Sequence, residues 1–380
     1  MRISRRPLLS LILVPGLLAG TAQADSRHEQ EAYDQHEPYA TGEVYTMTNA
    51  VDGNKVLAFA RDARGRLGPA EEYTTGGLGT GGGLGNQGGV VLDNSGRWLF
   101  VVNAGSDQVS VFRVRRHGLV LADVADAGGA QPVSVAVDRN LLYVLNAGSD
   151  SITGFHLTRH GRLVPIAGST RPLSGAGTGP AQISFSPDGE QLVVTEKATN
   201  RIVSYQLDDD GLPSDPVVHD SVGQTPFGFA FDRRGRLFVS EAAGGAADAS
   251  SVSSYKLSEN GDLDVISGAV PTTESAACWV VITGNGRYAY TTNAASGSVS
   301  GFFIKRDGSL TLLDTDGRTG ETGAGSRPID MALSVNSRYL YTLNGGNNTI
   351  SAFRVGRNGS LHPLPGVSSL PATANGLAAR

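Results

Sequence analysis

A turn glycine followed within two residues by leucine recurs through the chain as Gly65-Arg66-Leu67, Gly118-Leu119, Gly161-Arg162-Leu163, Gly211-Leu212, Gly261-Asp262-Leu263, Gly308-Ser309-Leu310 and Gly359-Ser360-Leu361. The seven glycines are separated by 53, 43, 50, 50, 47 and 51 residues. An alternating apolar run with a central aromatic precedes each, as in VSVFRV, ITGFHL and ISAFRV. Before it stands a second run, such as WLFVVN or YLYTLN. A third, often after proline, leads in, as in QPVSVAVD and RPIDMALS. Each unit therefore holds four short strands, A to D, joined by hairpin turns. No helical periodicity of useful length appears. A four-stranded repeat of this period is what a β-propeller blade requires, whereas a β-sandwich would not repeat one pattern seven times. The expectation is an all-β, seven-bladed β-propeller with four antiparallel strands per blade.

Blade 1 begins with strand B at about Glu43, so its strand A is missing there. The tail Thr373 to Ala379 is small and apolar enough to supply it. We expect this C-terminal strand to close the ring in blade 1 by pairing with residues 43–49, because an open ring leaves strand edges unpaired. The domain limits expected are a signal peptide over 1–24, a polar leader over 25–42 and one propeller over 43–380.

The stretch GGLGTGGGLGNQGG, from Gly76 to Gly89, contains G-x-G-x-x-G at Gly77, Gly79 and Gly82. A dinucleotide fingerprint needs a strand before it and a helix opening on it. No helix follows, so the stretch is a connection from strand D of blade 1 to strand A of blade 2. Antiparallel order puts the A–B and C–D turns on one face, and the B–C loops and D–A connections on the other. The second set is longer and more varied, and function usually sits on variable loops. The D–A/B–C face is where the sequence points for a site.

At the start of the chain, Arg2, Arg5 and Arg6 precede an apolar run of 13 residues, Leu8 to Gly20, too short to span a bilayer. Ala22-Gln23-Ala24 follows as a small-x-small cleavage site. Export to the periplasm or medium, with cleavage after Ala24, is expected; Ser4-Arg5-Arg6 partly resembles a twin-arginine signal. No other segment suits a membrane span. Loss of three arginines takes the formal charge from −5 to −8, which speaks against a nucleic-acid partner. The single cysteine, Cys278, cannot form an internal disulfide.

The chemistry-bearing residues are sparse. His117 and His160 fall in C–D turns, His156 in a strand C, and His219 and His362 in strands D. None falls at a strand A start or in a B–C loop, so neither a Ser-His-Asp triad nor a His-rich metal site is expected, and no cofactor is implied. Asp208-Asp209-Asp210-Gly211 lacks calcium-loop spacing and occupies an ordinary turn. Strand B ends in Asn at Asn103, Asn146, Asn293 and Asn344, the pattern of a turn residue bonding nearby backbone. Blades 4 and 5 carry Glu196 and Glu241 there instead. Paired acids can divide acid and base work, or they are solvated rim acids beside Lys197 and Arg201. The third position of strand A reads Ser134, Gln182, Gly228, Trp279 and Asp330 in blades 3 to 7. Arg327 precedes Pro328, where it can hold a carboxylate or phosphate, or simply pair with Asp330. Trp279 and Cys278 read first as packing.

With the blades laid out, GRWLFVVNAGSDQVSVFRV, LLYVLNAGSDSITGF, FSPDGEQLVV and SRYLYTLNGGNNTISAFRVGRNGSL resemble the lactonase-type seven-bladed propellers over about residues 43 to 380. That family includes 6-phosphogluconolactonase and carboxymuconate cyclase. The resemblance implies opening or isomerisation of a small sugar- or muconate-derived lactone, with a lactone or acidic carbohydrate as partner. Family enzymes often read Gly-Pro-Arg-His at the start of blade 4; here Gly179-Pro180 is followed by Ala181-Gln182, and Glu196 keeps its place. Pro132-Val133 stands where many members have Pro-His. The catalytic candidates read from the repeat are Glu196, Glu241 and Gln182, and the substrate-binding ones Arg327, Asp330 and Trp279; of these the resemblance supports Glu196 by its place. A non-catalytic propeller binding a ligand or protein on its glycine-rich face is the alternative.

Overall fold

The computed structural model describes residues 42–380. The segments expected as signal peptide and, up to residue 41, as polar leader lie outside the described residues. Seven antiparallel sheets follow one another around a ring, and every strand A lies innermost. Blade 2 shows the plan, with strands Val90–Leu92, Trp98–Asn103, Gln108–Arg115 and Gly118–Asp126 pairing in sequence order. In blades 3 and 6 the outer strand is broken into two short pieces, Leu163–Pro165 with Arg171–Pro172 and Leu310–Leu312 with Gly320–Glu321. Among the described residues the only helical element is a single 3-10 turn, Ala243–Gly245.

The recurring glycine of the C–D turn has two physical causes. All seven adopt positive φ, between 78° at Gly211 and 98° at Gly118, a region L side chains avoid. Each also lies against the preceding blade. A Cβ on Gly65 would run into the Tyr339 ring, on Gly161 into Trp98 and on Gly359 into Tyr288. The same turns receive hydrogen bonds across the blade boundary. Tyr290 Oη donates to the Gly359 carbonyl and Tyr341 Oη to the Gly65 carbonyl, both at 2.8 Å, and Ser204 Oγ donates to the Gly261 carbonyl at 2.7 Å. The repeat period therefore records a joint between blades. Between the sheets lie the buried aromatics of strands B and C, among them Phe100, Phe112, Tyr143, Tyr205 and Tyr341.

Ring closure follows the expected route. Asn375–Ala379 pairs antiparallel with Gly42–Met47, with Val44 opposite Ala379, Tyr45 opposite Ala378 and Met47 opposite Asn375 across a bulge. Thr46 Oγ1 donates to the Asn375 carbonyl at 3.1 Å, Thr373 Oγ1 to the Thr48 carbonyl at 2.6 Å, and Arg61 to the Arg380 carbonyl. Leu377 and Ala378 are buried between blades 7 and 2.

Candidate functional site

Strand A does not pair regularly with strand B at its start. A bulge falls near its third position in blades 3 to 7, and a bulge frees backbone groups that must find other partners. The third-position side chains supply them across the blade boundary. Ser134 Oγ accepts from Ile183 N of blade 4 at 3.2 Å. Gln182 Oε1 accepts from Phe229 N of blade 5 at 2.7 Å, while its Nε2 donates to the Phe229 carbonyl at 3.0 Å. Asp330 Oδ2 accepts from Leu377 N of the closing strand at 2.9 Å, and Oδ1 from Met331 N at 2.7 Å. Burial holds the Asp330 carboxyl well above the usual carboxylate range, against the opposing pull of those two backbone donors.

Blade 5 has Gly228 at this position and so no side chain to reach blade 6. Gln87, from the glycine-rich connection, takes that role. Its Oε1 accepts from Val280 N at 3.1 Å and its Nε2 donates to the Val280 carbonyl at 2.9 Å. A Cβ on Gly228 would overlap Gln87 Oε1 and would stand 2.6 Å from the Cys278 carbonyl. The segment around Gln87 is fastened on other sides as well. Gln87 N donates to Ala181 O at 3.0 Å, Val135 N to Gly88 O at 2.9 Å, and Trp279 Nε1 to Asn86 O at 2.7 Å. Lys197 Nζ donates to Gly85 O at 2.5 Å and to Pro180 O at 3.0 Å. Burial pulls that amine down to about 8, and it stands 5.0 Å over the Phe227 ring. Contacts to blades 3, 4 and 6 thus draw the strap across the ring axis at the D–A end.

Beneath the strap, a cavity of about 550 Å³ occupies the axis and is lined by strand A of all seven blades. Gln87, Gln182 and Asp330 form its inner end. Val91, Ser184, Ala230 and Val281 lie along the walls, and Asn94 and Pro187 of the A–B turns stand at its mouth. The cavity therefore opens toward the A–B face, whereas the sequence pointed to the D–A/B–C face. The reason is the strap, which turns a variable loop into a closure.

The remaining candidates are placed as follows. Glu196 is fully buried and lines no part of the cavity. It accepts from Ser174 N at 2.9 Å, from Ser174 Oγ, and from Thr199 Oγ1 at 2.5 Å. Glu241, also buried, accepts from Gly223 N at 3.0 Å, Ser253 Oγ at 2.5 Å and Ser251 Oγ. Glu241 takes the same strand C partners as the Asn residues with the direction reversed, for Asn344 Nδ2 donates to Thr349 Oγ1 and Ser351 Oγ at 2.9 and 2.8 Å, while Glu196 ties the end of strand B to the D–A connection instead. Arg327 is exposed, adopts φ 48° and makes no ion pair with Asp330 among the described residues. Trp279 is buried against Phe227, with ring centroids 4.9 Å apart. Burial pushes the Cys278 thiol up to about 12, which removes thiolate character. Among the described residues no group of three or more His, Cys, Asp and Glu is arranged to hold a metal ion, and no helix is long and apolar enough to cross a membrane. Gln87 is the residue that sequence reasoning missed. Its signal was Gly228, the one empty third position among blades 3 to 7.

The profile of the family described as lactonase, 7-bladed beta-propeller, matches residues 52–171 and 90–243. No curated protein matches the chain. Among solved structures, a Lactobacillus plantarum protein superposes with a TM-score of 0.73 at 17% identity, covering 89% of this chain and 99% of its own. A provisional 6-phosphogluconolactonase from Bacteroides fragilis gives 0.70 at 17% identity, with 90% and 98% covered. A Pseudomonas aeruginosa periplasmic gluconolactonase gives 0.69 at 16% identity, with 89% and 99% covered. At such identities the structures speak for the fold, and with the profile match they place the chain in the lactonase family of seven-bladed β-propellers.

Proposed function

We propose that this chain is an exported lactonase-family propeller that opens a small lactone in its axial cavity. The observation that carries the reading is the cavity of about 550 Å³ at the ring axis, with one buried carboxyl, Asp330, at its inner end. Such a volume lies within the range of small-molecule sites. Burial favours the protonated form of Asp330, which suits it to donate a proton to a lactone carbonyl as water attacks. An acid of this kind contributes roughly 10²–10⁴-fold to rate. Asp138, the other carboxyl of the lining, stands four positions further along strand A, about 13 Å at 3.3 Å per residue. It is too far off to share one lactone with Asp330. Support for lactone chemistry comes from the family and from the gluconolactonase names carried by two of the similar structures.

The test is a panel of lactones assayed on the purified protein and on Asp330→Asn. Turnover that falls by the stated factor, with the fold intact, fits the reading. Turnover unchanged in Asp330→Asn sinks the assignment. A second reading, a propeller that binds a ligand without turning it over, is favoured by the engagement of Glu196, Glu241 and Gln182 with protein partners. Ligand-induced thermal protection with no product would decide for it. Export rests on the N-terminal charge and cleavage pattern, and the periplasmic name of the Pseudomonas aeruginosa structure points the same way. Mass spectrometry of the secreted or periplasmic material should find a chain that starts at Asp25; an intact N-terminus would contradict it.

A further inference from the structure

We propose that the axial cavity takes an uncharged lactone with an apolar body and rejects phosphorylated or carboxylated sugar lactones. The proposal rests on the lactone reading above and narrows its substrate class. Asp138 and Asp330 are the acids of the lining, and the lining contains no Lys, Arg or His. An anion entering it would lose its water and find no cation along the walls to replace it, which is strongly unfavourable. Arginines stand in the surrounding A–B turns, among them Arg97, Arg233, Arg287 and Arg338, but none of them lines the cavity. Arg139 pairs with Asp138 at 3.6 Å, and Arg236 is held by Asp232 in a fork at 2.5–2.8 Å. Arg327 and Lys197, the cations nearest the sequence motifs, line no part of the cavity. Lys197 is engaged by the carbonyls of Gly85 and Pro180 on the far side of the strap.

The polar groups of the inner end are also committed. Gln182 and Gln87 spend both their donor and their acceptor on the backbone of Phe229 and Val280. A polyhydroxylated ring would bring many donors and find few free partners, and each buried hydroxyl left unpaired is costly. The walls are instead aliphatic and aromatic: Val91, Val137, Ala230, Phe231, Val281 and Leu333 are partly exposed and all belong to the lining. Both oxygens of Asp330 at the inner end already accept from Leu377 N and Met331 N, so its acid proton is what it has left to offer, and that matches a single lactone carbonyl. The cavity thus suits a ring ester with a hydrocarbon body, the carbonyl inward and the alkyl part toward the A–B mouth.

The experiment compares kcat/KM of the purified protein for δ-decalactone, glucono-δ-lactone and 6-phosphoglucono-δ-lactone, with melting curves in the presence of each. The expected order puts δ-decalactone first and the phosphorylated lactone last, at least tenfold lower. Ala230→Phe, which fills the wall, should lower δ-decalactone turnover tenfold or more with an unchanged melting curve; Val281→Phe serves if that variant does not fold. Ser184→Lys, which introduces a cation, should raise the rate for the phosphorylated lactone relative to δ-decalactone by at least tenfold. A preference for 6-phosphoglucono-δ-lactone would overturn the charge argument and leave lactone hydrolysis standing. δ-Decalactone turnover untouched by both wall variants would move the site elsewhere and overturn the proposal. Neither turnover nor thermal protection with any of the three would remove the lactone reading and this inference together.

Discussion

Gln87→Ala should destabilise the ring far more than a substitution in an exposed glycine-rich loop ordinarily does. The side chain satisfies both the N–H and the C=O of Val280, a buried residue on the innermost strand of blade 6. Truncation strands both groups, at about 1–3 kcal/mol each. Water from the adjoining cavity will recover part of that loss, so about 2–4 kcal/mol is the working figure. Unfolding entropy is about 2.1 cal/mol/K per residue, which over residues 42–380 converts the figure to a fall of roughly 3–6 °C in Tm. Gly228→Ala should destabilise too, because its Cβ would overlap Gln87 Oε1 and approach the Cys278 carbonyl at 2.6 Å. One of those two clashes disappears once Gln87 is gone. The double variant should therefore lose less than the two singles added together. Scanning calorimetry on the four proteins reads this directly. A melting curve for Gln87→Ala that matches the parent, or strict additivity in the cycle, would refute the argument that Gln87 completes blade 5.

Asp330 should give the ring a pH dependence of known sign. A carboxyl whose folded value is raised above 3.8 adds stability in acid that drains away as pH climbs through the folded value. The difference in Tm between the parent and Asp330→Asn should be largest in acid and shrink above about pH 4; a difference that grows with pH would reverse the sign. Deletion of residues 373–380 removes the strand paired with Gly42–Met47 and should lower Tm by several degrees, with an unchanged curve telling against strand closure. Glu196→Gln offers a donor where Ser174 and Thr199 need acceptors, so a stability loss of about 1–3 kcal/mol is expected. A 10²–10⁴-fold fall in lactone turnover with unchanged melting would instead make Glu196 the acid–base group.

What could be read from the sequence was whatever the repeat wrote more than once. The C–D glycines stood out because backbone conformation and blade-to-blade contact both forbid a side chain, and they do so at every joint. The closing strand was readable because blade 1 lacked its strand A and the chain's end resembled one. Glu196 and Glu241 were visible as departures from Asn, yet the sequence could not say whether a carboxylate faces a cleft or a ring of hydroxyls. That depends on Ser174 and Thr199, which carry no pattern of their own, and on the strand register that sets Ser251 and Ser253 against Glu241. The strap was hidden for a different reason. Gln87 and Val280 are 193 residues apart, and nothing in a flexible-looking glycine run marks one glutamine as the residue that crosses the axis. The face of the cavity went with it, since loop variability was a sound guide only if the loops left the axis open.

The seam in blade 1 sets an order of events for a chain that begins as a linear polymer. Thr46 waits for Asn375, a partner 329 residues downstream, and Glu43 for Arg380, 337 residues downstream, so the contacts that lock the ring are among those farthest apart in the chain. Contacts that far apart carry a heavy loop-closure penalty and slow the last step of folding. Until that step, blade 1 presents three strands with a bare inner edge, and Asp330 of blade 7 lacks the Leu377 amide it binds in the finished ring. A nascent chain would spend its vulnerable interval in this C-shaped state, where proteases and stray strand edges compete with its own terminus. Damage to the last residues would then reveal itself first as poor yield and degradation of the chain.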